Sequence, residues 1–218
     1  MVSIFWCHIL KEVIMRYPNG KVYQSKTNRS LSASSKGKAN FAKRGMKLEE
    51  MINQANQWYL LRDKAIIHKK PIPIQVVSVD YPKRSRAVIT EAYYRTASTT
   101  DYNGIYKGHY LDFEAKQTNL KTKFPLHNIH QHQIDHMTNC ANHGGICFVL
   151  FLFKERNEAY VYPISALLED WTAFVANDIT AIPLKRIQSE GVQANMGYQP
   201  RIDYLAAVDE MIASHHHI

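Results

Sequence analysis

The alternation of apolar and polar positions separates a polar opening segment from a longer stretch of regular elements that starts near residue 47. There Leu48, Met51, Ile52, Ala55 and Trp58/Tyr59 recur at helical spacing, which predicts an amphipathic helix over 47–62. Residues 65–68 read as a short strand, Pro71 and Pro73 interrupt it, and extended structure resumes over 74–79. A basic run, Tyr81-Pro-Lys-Arg-Ser-Arg86, leads to 87–95, which mixes β-branched and aromatic residues. Tyr102-Asn-Gly-Ile105 reads as a turn, and 111–116 alternates apolar with charged residues as the strand of an antiparallel pair does. Residues 125–142 have helix character, with Ile129, Ile134 and Met137 on the buried face. After Gly144-Gly145, the run Ile146-Cys-Phe-Val-Leu-Phe-Leu-Phe153 is far too short for a membrane helix and rich in strand formers, so it reads as a buried strand. Residues 158–162 complete its hairpin, 164–171 read as helical, and 203–213 close the chain with a helix. There is no internal repeat, and the expected class is one α/β or α+β domain around a mixed sheet.

Composition sharpens this picture in two places. The 218 residues suit one domain with a projecting element or tail, and 27 Lys and Arg against 19 Asp and Glu give a net charge of +8, the balance of a protein that meets a polyanion. Much of that charge is local. From Met15 to Arg44 the basic residues Arg16, Lys21, Lys26, Arg29, Lys36, Lys38, Lys43 and Arg44 meet no acidic residue and few large apolar groups, so 15–45 is expected to be a flexible basic arm. Residues 1–14 carry His8, Lys11 and Glu12 and lack a cleavage site, which argues against a signal peptide; 214–218 reads as a tail. Cys7, Cys140 and Cys147 lack metal-site spacing and read as reduced thiols of a cytoplasmic protein.

The residues that carry chemistry are Asp101 and, a strand later, Asp112-Phe-Glu-Ala-Lys116. On a strand Asp112, Glu114 and Lys116 share one face. Carboxylates beside an ammonium suit phosphodiester hydrolysis: the acids hold a hard cation such as Mg²⁺, and the lysine orients water or stabilises charge developing at phosphorus. Acid-x-Lys triplets also occur on solvated strand edges, so the pattern alone does not assign catalysis.

Over nearly its whole length from Met15 the chain resembles the RecU family of Holliday-junction resolvases. The stretches that carry the resemblance are Met15-Arg-Tyr-Pro-Asn-Gly-Lys21, Arg44-Gly-Met46 with Leu48-Glu49, Ala65-Ile-Ile-His-Lys-Lys-Pro71, Val79-Asp-Tyr-Pro-Lys-Arg-Ser85, Ala97-Ser-Thr-Thr-Asp-Tyr-Asn-Gly104, Tyr106-Lys-Gly108, Asp112-Phe-Glu-Ala-Lys116, His132-Gln133, Gly144-Gly-Ile-Cys-Phe148 and Pro200-Arg-Ile-Asp-Tyr-Leu205. The resemblance implies a restriction-endonuclease-like α/β fold of the PD-(D/E)XK type, a mixed sheet flanked by helices within 46–213, with a stalk over about 69–95. It implies Thr99, Asp101, Glu114 and Gln133 as Mg²⁺ ligands (Mn²⁺ substituting) and Lys116 as the lysine that stabilises the transition state. It further implies paired nicks in strands of like polarity at a four-way junction, in recombination and repair. A homodimer matches the two-fold substrate, and a RecA-type recombinase and a branch-migration helicase are the expected partners. Lys69, Lys70, Lys83, Arg84 and Arg86 of the stalk are expected to meet the junction's phosphates. Residues 1–14 precede the family's usual start and are expected to be an extension.

Rival readings accompany these. A junction-binding protein that modulates a recombinase without cutting would keep the fold, although it would not need the intact acid and lysine set. His127, His130, His132 and His136 look like ligands, but no third partner has convincing spacing, and solvated or phosphate-facing roles are expected. Asp112 reads as a capping or ion-pairing acid, Glu49 as either an additional acid or a solvated charge at a helix N-terminus, and Trp58 and Trp171 as core.

Overall fold

The computed structural model describes residues 47–83, 86–95 and 99–215. The expectations for 1–14, for the basic arm and for Arg84 lie outside the described residues, as do the side chains of Lys83 and Arg86. The chain divides into two compact units, of which one contains Val76–Ala92 and the other runs over Arg44–Gln75 and Tyr93–Ile218.

The larger unit is built on a mixed sheet of seven strands. In chain order its elements are α1 (Leu48–Leu60), β1 (Ala65–Lys69), then, past the hairpin strands β2 (Ile74–Lys83) and β3 (Arg86–Tyr94), β4 (Tyr102–Tyr106), β5 (His109–Thr118) and β6 (Lys123–Pro125). A 3₁₀ turn (Leu126–Asn128) leads to α2 (Gln131–Asn142), β7 (Ile146–Phe153), β8 (Glu158–Pro163), α3 (Ile164–Val175), β9 (Ala181–Pro183), α4 (Leu184–Glu190), β10 (Val192–Met196), β11 (Ile202–Asp203) and α5 (Tyr204–His215). The sheet order is β1-β4-β5-β7-β8-β10-β11. β5 and β7 run parallel, joined through α2, and the other neighbours pair antiparallel.

β7 is apolar throughout because both of its faces are covered. Phe148, Leu150 and Leu152 join Leu48, Tyr59, Tyr204 and Leu205 of α1 and α5, while Cys147, Val149, Phe151 and Phe153 join Ile134, Met137, Leu167 and Ile187 of α2, α3 and α4. Three adjacent strands are keyed by an aromatic ladder in which Phe113 stacks between Tyr102 and Phe148, with centroids 5.0 and 4.8 Å away. Tyrosine hydroxyls bind the chain's last strand and helix to the rest: Tyr59 donates to Asp203 of β11 at 2.8 Å, Tyr106 to Asp209 of α5 at 2.9 Å, and Tyr204 of α5 to Asn56.

Two sequence expectations are corrected. Tyr102-Asn-Gly-Ile105 is the strand β4, not a turn. Gly104 stands there because a Cβ would lie 2.2 Å from the Ile66 carbonyl oxygen, so the strands pack too closely for any side chain. The turn falls later, at Lys107-Gly108, where both residues have positive φ (49° and 81°), as a tight antiparallel hairpin requires. The expected helix over 125–142 begins only at Gln131. Before it, Phe124 pairs with Ile182 in a short ladder, and both side chains are buried; Leu126 and Ile129 are buried as well.

Residues 184–196 form a helix and a strand that the sequence pattern left unassigned. Trp58 and Trp171 are half-buried and pack against the edges of the two apolar clusters; Arg62 and Lys64 lie over the Trp58 ring, and the Trp171 indole donates to Gln131. Cys140 and Cys147 are free thiols. Among the described residues no helix is long and apolar enough to cross a membrane.

In the other unit, β2 and β3 form a separate two-stranded ribbon. Val76, Val77, Tyr81, Val88 and Ile89 are all exposed, and among the described residues of this unit the two strands have no second layer to bury them against.

Candidate active site

β5 carries Asp112, Glu114 and Lys116 on one face and Leu111 and Phe113 in the core behind. Asp101 lies just ahead of β4. Its carboxylate accepts the Ala115 amide at 3.3 Å, and its backbone carbonyl accepts the Lys70 amide at 2.7 Å. These two bonds fix the acid between the end of β1 and the middle of β5.

Glu114 is 3% exposed. Lys116 Nζ lies 3.0 Å from its Oε1, whereas its Oε2 is buried with no hydrogen-bond partner among the described residues. Burial first, and then the neighbouring Asp101 carboxylate, push the Glu114 carboxyl up to about 7 against the opposing pull of Lys116. An orphaned buried carboxylate oxygen is costly, and a like-charged acid beside it adds to the cost. A divalent cation between the two acids would satisfy the oxygen and neutralise the pair, so this oxygen-only donor set fits a hard cation. Asp101, Glu114 and Lys116 are thus brought together as the sequence reading expects. Thr99 is exposed in the same segment, and its hydroxyl donates to the Thr100 carbonyl at 3.4 Å. Gln133 is buried on α2, but its Oε1 accepts the His130 amide at 3.0 Å and so caps the helix.

At the rim, Glu49 of α1 is ion-paired with Lys69, and both line a cleft of about 150 Å³ with Asp101, Ala115 and Gln117. The sequence groups Lys69 and Lys70 together among the phosphate contacts. Adjacent residues on an extended strand point to opposite faces, and here they separate. Lys69 stays exposed, while Lys70 turns inward to Asp112, 2.7 Å from Oδ2, and its side chain is 15% exposed.

Asp112 is fully buried. Besides Lys70 it accepts Thr100 Oγ1, takes the Tyr110 hydroxyl at 2.8 Å and meets His136 Nε2 at 3.2 Å. Burial pushes its carboxyl up, but the hydrogen bonds from Lys70, Thr100 and Tyr110 outweigh that and hold it below the usual carboxylate range. His136, for which the sequence suggests a solvated or phosphate-facing role, is instead drawn to this acid. Asp112, His136 and Cys140 offer ligand atoms within 4.8 Å of one another, a softer donor set than the Asp101 and Glu114 pair. The Lys70 ammonium, also 3.2 Å from His136 Nε2, already supplies positive charge there. The signal available in the sequence for this second cluster was an acid two positions from Glu114 on the same strand face.

The chain matches the family model described as "Recombination protein U" over residues 43–210. It is 50% identical over 203 residues to a protein of Latilactobacillus sakei subsp. sakei named "Holliday junction resolvase RecU", a match that spans 92% of this chain and 97% of that one. A protein of the same name from Geobacillus kaustophilus is 50% identical over 198 residues, with 90% and 97% covered. Another from Staphylococcus aureus is 48% identical over 202 residues, with 91% and 96% covered. Among solved structures, the Holliday junction resolvase Hjc of Archaeoglobus fulgidus aligns with a TM-score of 0.32 and 9% identity over 53% of this chain and 78% of that one, a likeness too slight to compare folds.

Proposed function

The chain belongs to the RecU family, and from that premise we propose that it is an endonuclease of homologous recombination that resolves four-way DNA junctions, with Asp101, Glu114 and Lys116 as its catalytic residues and Mg²⁺ as its cofactor. The observation that carries the site is the buried Glu114 Oε2, unpartnered among the described residues, in a carboxylate that has Asp101 beside it and an ammonium 3.0 Å from its other oxygen.

Asp101 and Glu114 would hold the ion, with Thr99 and Gln133 as candidate further ligands. When bound, such a cation polarises a phosphoryl oxygen and lowers the pKa of attacking water. The protein's own groups do the rest. Lys116 opposes the upward shift of the Glu114 carboxyl and has donors left over for the negative charge that grows on phosphate oxygens in the transition state. The Ala115 and Lys70 amides hold Asp101 without using its charge. The aromatic ladder behind β5 makes this face rigid.

We read the protein as a cytoplasmic homodimer, because two cuts at a two-fold junction are served by two sites on a two-fold axis. Lys69, Lys83, Arg84 and Arg86 supply phosphate contacts in this reading, and a RecA-type recombinase and a branch-migration helicase are its partners. The test is to incubate a four-way junction, labelled on each strand in turn, with the protein and Mg²⁺. Paired nicks at symmetric positions support the reading; an intact junction at saturating protein overturns it.

A further inference from the structure

Asp112 is the most fully paired acid near the site, and none of its partners belongs to the proposed acid and lysine set. Its Oδ1 accepts Thr100, and its Oδ2 meets Lys70, Tyr110 and His136. Lys70 in turn reaches Thr100 Oγ1 at 2.9 Å, while its amide holds the Asp101 carbonyl at 2.7 Å. Main chain and side chain of one residue therefore grip two consecutive residues of the 99–101 segment. That segment carries Asp101 and Thr99, and it lacks the ladder bonds of a strand until Tyr102. A buried ion pair of this kind contributes little net stability, because desolvation offsets most of the attraction; what it fixes is geometry.

We infer that Lys70 and Asp112 are a positioning pair for the metal-binding acids: they clamp Thr100, and through it Asp101, at the distance from Glu114 that a divalent cation requires. The inference rests on the proposed metal-dependent nuclease reading. It assigns Lys70 to the metal site's support and not to DNA contact.

The test uses the full chain in three forms, wild type, the double variant Lys70→Met/Asp112→Leu, and Thr100→Val. Removing the pair together leaves no uncompensated buried charge, so the double variant should melt near the wild-type temperature. Mn²⁺ binding is measured by calorimetry without DNA, and cleavage is measured across a Mg²⁺ titration. Loss of the groups that orient a ligand should weaken Mn²⁺ binding about 10-fold or more in the double variant, and less in Thr100→Val. Excess Mg²⁺ should restore most of the cleavage rate in both, a split that a merely structural defect would not produce. Thr100→Val is nearly isosteric and decides the matter if the double variant does not fold. Folded variants that bind Mn²⁺ as tightly as wild type overturn the inference while leaving the nuclease reading intact. A wild-type protein that neither binds Mn²⁺ nor nicks junctions overturns both.

Discussion

Lys116 Nζ sits 3.0 Å from Glu114 Oε1 on one face of β5, while the other Glu114 oxygen is buried without a partner among the described residues. The strand thus presents a half-satisfied carboxylate beside an ammonium. A folded protein tolerates such an arrangement where a ligand completes it.

The first prediction follows from the Glu114 carboxyl, which burial and Asp101 raise to about 7. A carboxyl raised on folding binds its proton more tightly in the folded state. Its contribution to stability is complete below the usual carboxylate range and is lost as pH rises through about 7. In EDTA, urea unfolding from pH 5 to pH 8 should therefore show wild-type stability falling relative to Glu114→Gln. Mg²⁺ competes with the same proton, so its stabilising effect should grow over that interval. Parallel pH profiles for the two proteins would refute the assignment.

Lys116 has two roles to separate. Lys116→Ala should lower single-turnover cleavage by about 10²–10³-fold, the cost of one preorganised charge-stabilising group. It should also raise the Glu114 carboxyl further, since Lys116 is the group that opposes burial there. The pH at which Mg²⁺ half-saturates the protein should consequently move upward. Rate loss with no such movement would mean that the lysine acts on substrate alone.

Gly104→Ala should destabilise the sheet at β1 and β4. Its Cβ would be 2.2 Å from the Ile66 carbonyl oxygen and 2.6 Å from the Ile67 Cα, both backbone atoms that cannot step aside. Overpacking of this kind costs about 1–3 kcal/mol or more, and because β1 carries Lys70 to the site, metal binding should fall with stability. Thermal melting in EDTA measures the first effect, and a melting temperature equal to wild type would contradict the close approach.

What could be read from the sequence follows from the kind of signal each element gives. β7 and α1 announce themselves by an unbroken apolar run and by helical spacing. The face-sharing of Asp112, Glu114 and Lys116 follows from the two-residue period of a strand. Gly104 misled because the same residue serves turns and close strand contacts, and only the partner backbone tells them apart. α2 starts late because Phe124, Leu126 and Ile129 are buried in extended and turn structure, which spacing alone does not separate from a helix face. The pairing of Lys70 with Asp112 spans 42 positions, and no local pattern reports it. The strand rule that sends adjacent residues to opposite faces would have separated Lys69 from Lys70.

The basic segment Lys83-Arg84-Ser-Arg86 runs from the last residue of β2 to the first of β3 and precedes the acids in sequence. A four-way junction gathers phosphates from four arms at its centre, so cations placed there meet a higher negative potential than on linear duplex. Reversing the charge of Arg84 and Arg86 should therefore lower affinity for a junction more than for a duplex of equal length at fixed salt, with circular dichroism unchanged. Equal losses on both substrates would reduce the segment to a general phosphate contact.

The account's central claim is that Asp101 and Glu114 together bind the cation that cleavage requires. Asp101→Asn tests it most directly, in single-turnover reactions on a labelled four-way junction with the variant in excess. The account predicts junction binding close to wild type, loss of nearly all nicking in Mg²⁺, and loss of Mn²⁺ binding in calorimetry without DNA. Nicking by Asp101→Asn near the wild-type rate, or unaltered Mn²⁺ binding, would contradict it.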